Sequence, residues 1–245
     1  MSDHQHGYGQ QHGHGQQHGH GGPRREMPPL PDSAEGLPAW WEELYSGADA
    51  RWSGNANARL VEAVTGLEGA GTAPGRALDL GCGEGGDVVW LAERGWAVTG
   101  VDVAHAAVAK ARSAASARGV DVVLERHDLT QTFPAGEFDL VNAQFLQAPV
   151  GWPRAEVLRR AAAAVAPGGH LLVVDHADPP PWSQLDRDAV GFPTPQQVLA
   201  DLALDAGGGG GWEVVRAEVA ARPATGPGGE HGHLNDSVVL VRRLP

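Results

Sequence analysis

From Ala77 to Gly86 the chain reads ALDLGCGEGG, an apolar run that ends in a carboxylate and opens into four glycines within six residues. Glycines let a strand turn sharply into a helix and bring free backbone N–H groups against a bound molecule. Gly81, Gly83 and Gly86 fit the G-x-G-x-x-G spacing of dinucleotide loops, with Asp102 as the matching ribose ligand. Gly81, Gly83 and Gly85 equally fit the shorter G-x-G-x-G loop that holds S-adenosylmethionine. Spacing leaves both open, and charge separates them. A helix N-terminus stabilises a pyrophosphate, but Asp79 before the loop and Glu84 inside it oppose that anion. The same carboxylates favour a phosphate-free ligand with a cationic sulfonium and an ammonium. Asp102 is then placed to accept from both ribose hydroxyls. Asp128, in His127-Asp128-Leu129 after a third strand, is placed to accept from an adenine amino group.

Methyl transfer from such a ligand is an in-line displacement, so the protein must supply alignment, and a base only where the acceptor is protonated. His176 and Asp178, just past a fifth strand, are the candidate catalytic residues, because that is the ligand-facing edge of an open α/β sheet. A polar strand exit without catalytic duty is the competing reading. Trp152 and Trp182, after strands four and five, either wall an acceptor pocket or pack the core. The run His231-Gly232-His233-Leu234-Asn235-Asp236 either reaches the same edge or forms a turn. Cys82 reads as a small side chain in a tight turn, neither metal ligand nor nucleophile. His4, His6, His12, His14, His18 and His20 make three His-x-His pairs. Flexible imidazoles at that spacing bind transition metals weakly and without defined geometry, so no metal site is expected.

These residues need strands and crossover helices to position them, and the sequence alternates accordingly. Helical spacing predicts helices over 39–46, 57–65, 84–94, 104–118, 154–165 and 195–204, the last N-capped by Thr194. Short apolar runs predict strands over 76–80, 96–101, 121–125, 138–143 and 170–175, followed by two antiparallel strands over 212–219 and 237–242. The expected fold is α/β: a Rossmann-like, seven-stranded, mostly parallel sheet with an antiparallel edge and helices on both faces. Residues 1–38, rich in His, Gly, Gln and then Pro, have little to bury and are expected to be a disordered tail, with one domain over 39–245.

The segment ALDLGCGEGGDVVWLAERGWAVTGVDV, residues 77–103, resembles the opening motifs of class I S-adenosylmethionine-dependent methyltransferases. Upstream, Trp40-Trp41-Glu42-Glu43-Leu44-Tyr45 and Arg51-Trp52-Ser53-Gly54-Asn55 resemble the N-terminal segment of the thiopurine and tellurite-resistance branch. The resemblance implies S-adenosylmethionine as cofactor. It places Trp41 and Trp52 on a segment folded over that cofactor and Asp79 near the methionine moiety. Gly81, Cys82 and Gly83 would pass beneath the cofactor, Asp102 and Val103 would lie at the ribose, and Asp128 and Leu129 at the adenine. Gln144 and Phe145 would form a floor between cofactor and acceptor. Asn142-Ala143-Gln144-Phe145 is also similar to the N-P-P-aromatic tetrad of amino-group nucleic-acid methyltransferases, but both prolines are missing.

Composition narrows the partners. With 18 Lys plus Arg against 30 Asp plus Glu the formal charge is −12, and Lys110 is the only lysine, which argues against a nucleic-acid clamp. No window approaches the roughly 18 apolar residues that span a bilayer, and no basic-then-apolar leader opens the chain. One cysteine leaves no intrachain disulfide. The expectation is a cytoplasmic enzyme methylating a small molecule, with thiols and chalcogen species among the acceptors, and without nucleic-acid or membrane partners. The alternatives are an NAD(P)-dependent oxidoreductase and a non-enzymatic metal-binding protein on the same scaffold. Oligomeric state leaves no mark in the sequence.

Overall fold

A computed structural model describes residues 27–179, 181–182, 191–204, 211–226 and 229–245. The chain runs α1 (Leu37–Tyr45), α2 (Ala58–Gly69), β1 (Arg76–Leu80), α3 (Gly86–Glu93), β2 (Ala97–Asp102), α4 (His105–Arg118) and β3 (Val123–Arg126). It continues through β4 (Phe138–Gln144), α5 (Arg154–Ala163), β5 (Val165–His176), α6 (Pro195–Leu202), β6 (Trp212–Thr225) and β7 (His231–Arg243). One seven-stranded sheet has the order β3-β2-β1-β4-β5-β7-β6. β1 to β5 pair in parallel, and β7 is antiparallel to both β5 and β6. The order reverses between β1 and β4, and the crevice outside the strands' carboxyl ends at that point is where open α/β sheets hold ligands.

Apolar side chains cover both faces. On one, Val157, Leu158 and Ala161 of α5 and Val198 and Leu202 of α6 pack on Leu78, Leu80, Val141, Val173 and Val239. On the other, Leu60 and Val64 of α2 and Val88 and Leu91 of α3 pack on Ala77, Leu140, Leu172 and Val174. Strands buried on both faces read as nearly continuous apolar runs, which is why β1, β4 and β5 were visible in the sequence. Local signals end the helices where physics requires. Gly119 at φ 66° closes α4, its N–H donating to Ala115 and Ser116 carbonyls. Thr194 and Gln197 form a reciprocal capping box at α6, with Pro195 in its first turn.

Several boundaries differ from the sequence expectation. α3 starts at Gly86 rather than residue 84, because Gly81, Gly83 and Gly85 all hold positive φ and remain loop. α5 ends at Ala163, and β5 already begins at Val165, passing through Pro167-Gly168-Gly169 with an irregular register beside β4. A Cβ on Gly169 would lie 2.9 to 3.0 Å from three carbonyl oxygens, so only glycine lets the strand pass there. The largest difference is the last hairpin. β6 has 14 residues and β7 13, and His231-Gly232-His233 lies within β7 rather than in a turn. Beyond Asp236 toward its tip this hairpin has left β5 and continues as a two-stranded arm.

Of the expected tail, residues 1–26 with their six histidines lie outside the described residues. The remainder departs from expectation: Ala34–Gly36 form a 3-10 turn, Leu37 is buried, and the Trp40 indole donates to the Pro28 carbonyl at 3.2 Å. Pro38 in the first turn of α1 needs no N–H partner, so the helix opens two residues early. Among the described residues no helix is long and apolar enough to cross a membrane.

Candidate functional site

At the carboxyl ends of β1, β2, β3, β4 and β5 lies a cavity of about 1050 Å³. Trp41, Trp52, Asp79, Gly81, Cys82, Gly83, Asp102, Val103, Asp128, Leu129, Gln144, Phe145 and His176 all line it. Asp178 does not; its carboxylate accepts from Asn235 Nδ2 at 2.8 Å and ties the exit of β5 to β7. Trp152 is on the cavity wall, whereas Trp182 packs against Gly226 and Gly232 near the tip of the β6–β7 arm. Trp152 also packs against the core beneath it, so of the two tryptophans only Trp152 stands where both readings meet.

The loop 81–85 is shaped by its glycines. Cβ atoms on Gly81 and Gly83 would reach 2.8 Å from Leu146 Cδ1 and 3.1 Å from Tyr45 Oη, and both residues have positive φ. Asp102, at the tip of β2, accepts from the Gly83 N–H at 3.0 Å and the Ala104 N–H at 2.9 Å. Burial pushes its pKa up and backbone N–H donors pull it back. Asp128 Oδ1 accepts from the Thr130 N–H and hydroxyl at 3.0 and 2.7 Å, an Asx turn that aims the carboxylate.

Beneath the loop sits a buried polar cluster. Asn142 Nδ2 donates to Asp79 at 2.7 Å and to Asp87 at 3.2 Å, Asn57 donates to Asp87 from its backbone and side chain, and Gln144 Nε2 donates to Asn142 Oδ1 at 2.8 Å. Burial, and then the neighbouring Asp87 charge, raise the Asp79 pKa well above the usual carboxylate range. Gln144 Oε1 is buried without a hydrogen-bond partner among the described residues. A buried carboxyl with a raised pKa and an unpartnered amide oxygen on one cavity wall are acceptors that suit an ammonium or sulfonium.

Glu84 lines the cavity and also holds other parts of the chain. Its carboxylate accepts from the Arg51 and Trp52 N–H groups at 2.9 to 3.0 Å and pairs with Lys110 Nζ at 2.8 Å. Lys110 also donates to the Asp49 carbonyl at 2.7 Å. Glu84 is thus a clamp on the segment carrying Trp52, with Lys110 countering its charge, while it and Asp79 both line the cavity. Trp52 Nε1 donates to Tyr45 Oη at 3.1 Å, and Tyr45 stacks on Trp41 with centroids 6.1 Å apart. The three rings roof the glycine loop. Glu42 of α1 secures the roof by accepting from the His105 and Ala106 N–H groups at the start of α4. Cys82 is buried, and burial raises its thiol pKa, which fits an inert filler.

Sequence reasoning missed Tyr45, Asp87, Asn142 and Arg222. Tyr45 carried a signal, lying four residues after Trp41 on one helix face. Arg222 carried none; it reaches the cavity only because β6 is long. At that end His176 stacks on Phe145 with centroids 4.3 Å apart, and Phe145 holds φ 51°.

Residues 77–169 match the family model described as a methyltransferase domain. The 27-O-demethylrifamycin SV methyltransferase of Amycolatopsis mediterranei (strain S699) is 34% identical over 162 residues, 61% of this chain and 57% of that enzyme. The chain spans about half the length of the curated relatives it matches. The N-methyltransferase NodS from Bradyrhizobium japonicum WM9, solved in complex with S-adenosyl-L-homocysteine, superposes with TM-score 0.59 at 19% identity, over 83% of this chain and 96% of that one. TehB from Haemophilus influenzae gives TM-score 0.60 at 16% identity, over 83% and 66%. Over residues 77–169 the chain matches a methyltransferase domain, and it shares its fold with solved methyltransferases, one of them holding S-adenosyl-L-homocysteine; S-adenosylmethionine is the cofactor these likenesses support. Of the two glycine fingerprints, these likenesses favour the S-adenosylmethionine loop over the nicotinamide one.

Proposed function

We propose that this protein transfers the methyl group of S-adenosylmethionine to a small-molecule acceptor bound between Phe145, Trp152, His176 and Arg222. One observation carries the reading: a single continuous cavity joins the carboxylate-lined tips of β1, β2 and β3 to an imidazole at the tip of β5. Asp79 and Gln144 Oε1 would take the ammonium, both Asp102 oxygens the ribose hydroxyls, and Asp128 the adenine amino group. The cofactor supplies an electrophilic methyl on a good leaving group. The chain's own contribution is then alignment, worth up to roughly 7 to 11 kcal/mol in favourable cases, with His176 as the base for acceptors that carry a proton. Burial holds the His176 pKa below its ordinary value, so the imidazole is neutral and able to accept a proton at pH 7. Asp178, off the cavity wall, serves as an anchor for β7.

An acceptor of small size fits the roof of Trp41, Tyr45 and Trp52 over one side and the β6–β7 arm over the other. The formal charge of −12 disfavours a nucleic-acid acceptor. Thiols are among the acceptors we favour, and a cytoplasmic site of action accords with the unpaired Cys82. Calorimetry with S-adenosylhomocysteine, NAD and NADP tests the cofactor end, with micromolar binding expected for the first alone. A screen of small thiols, phenols, amines and chalcogen oxyanions for S-adenosylhomocysteine release tests the acceptor end. Nucleotide binding in place of S-adenosylhomocysteine, or no turnover with any class, would overturn the proposal.

A further inference from the structure

His176 and Asp236 are directly opposed residues of the antiparallel β5–β7 pair. Opposed residues project to the same face with their Cβ atoms roughly 4.5 to 5.5 Å apart, so the register sets these two side chains against each other. Asp236 is wholly buried. Its Oδ2 accepts from Arg59 Nε at 3.1 Å and Arg222 Nε at 2.8 Å, which fixes the carboxylate plane from two sides. Its Oδ1 has no partner among the described residues, and neither has the buried Nδ1 of His176, which lies 4.0 Å from it. The Phe145 ring backs the imidazole, and His176 lines the cavity. A buried donor or acceptor left unmade is unusual. Here two complementary ones face each other, one small side-chain shift from a hydrogen bond.

We infer that Asp236 is a positioning residue that makes His176 a general base: it holds Nδ1–H toward its own Oδ1 and leaves the Nε2 lone pair for the acceptor. The inference rests on the methyltransferase reading above and narrows its substrate class to acceptors with a proton on the attacking atom, an alcohol, phenol or thiol. In the step, the acceptor's X–H proton passes to Nε2, an X–CH3 bond forms, and the S–CH3 bond breaks with its electron pair returning to sulfur. The imidazolium that results is countered by Asp236 and later gives its proton to solvent. The charged groups facing the imidazole are Asp236 from β7, Arg222 from β6 and Asp178 from the exit of β5, and the Phe145 ring, just past β4, stacks on it.

The first test needs no acceptor. Long-range proton–nitrogen correlation on the full-length labelled protein, with the signal assigned by its loss in His176→Gln, reads the tautomer. A neutral ring protonated on Nδ1 is expected, and a ring protonated on Nε2 overturns the inference. The second test is Asp236→Asn, whose amide would present a donor to Nδ1 and favour the other tautomer. Turnover of 2-mercaptoethanol should fall roughly 100-fold or more, with S-adenosylhomocysteine affinity unchanged. Turnover of 4-nitrothiophenol, already ionised at the assay pH, should be retained. An equal fall for both thiols would assign Asp236 a structural role only. If Asp236→Asn does not fold, the wild-type tautomer still decides. A wild-type enzyme inactive on every acceptor would count against the methyltransferase reading and leave the tautomer result standing.

Discussion

The two ends of the cavity are built from different kinds of contact. At the cofactor end, each functional side chain sits within a residue or two of a strand tip: Asp79 in β1, Asp102 at the end of β2, Asp128 after β3. Two of them have partners close in sequence, Thr130 for Asp128 and Ala104 for Asp102, while Asp79 is met by Asn142 of the neighbouring strand β4. At the acceptor end the central carboxylate, Asp236, bonds Arg59 across 177 residues of sequence and Arg222 across the β6–β7 arm. The first end is a set of turns at the tips of a parallel sheet, tied together by Asn142 and Glu84. The second exists only when strands distant in sequence pair in one register.

Four measurements sharpen or break that contrast. The largest effect is expected at the acceptor end. His176→Gln should lower kcat for a protonated acceptor by roughly 100 to 10,000-fold, the usual range for a general base. S-adenosylhomocysteine affinity should not change, and a parallel loss of cofactor binding would show that the two ends are not separable. Next, Gly81→Val places a branched side chain at φ 70° and against Leu146. Strain and overpacking of about 3 kcal/mol should nearly abolish cofactor binding, and calorimetry finding an intact affinity would mean the loop is not the seat of the ligand. Third, Asp102→Ala should weaken S-adenosylhomocysteine by roughly 1.5 to 3 kcal/mol, the loss for hydrogen bonds to a charged acceptor. A folded variant of unchanged affinity would remove Asp102 from the site.

The smallest effect is a pH dependence. Without ligand, burial and Asp87 hold the Asp79 carboxyl above its usual range. An ammonium beside it favours the ionised form, so its pKa falls on binding and a proton is released. Cofactor affinity should therefore rise with pH, by at most about tenfold per unit, until the ligand-free pKa is passed, and then level off. Asp79→Asn should flatten the profile. A flat profile in the unaltered protein would mean that the cation sits elsewhere.

How much of this was legible beforehand follows the same division. The glycine loop, the strand-tip carboxylates and the Trp41 and Trp52 pair were readable, because turn chemistry and apolar periodicity act over a few residues. Glu84 lines the cavity, but its second role as a clamp was not legible. Its partners, the Arg51 and Trp52 N–H groups and Lys110, lie 26 to 33 residues away, and nothing local announces them. The helix expected to reach residue 165 failed for a related reason: β5 gains ladder hydrogen bonds from β4 as early as Val165, opposite Phe138.

By itself the amino-acid sequence determined the alternation of strands and helices, the sheet's parallel core and the phosphate-free, cation-favouring loop, since each depends on near neighbours. The tertiary structure decided the length of the β6–β7 arm, the approach of Arg222 to the cavity and the pairing of His176 with Asp236. Those depend on strand register, and register is settled by the burial of whole faces at once, not by the residues that later meet across it.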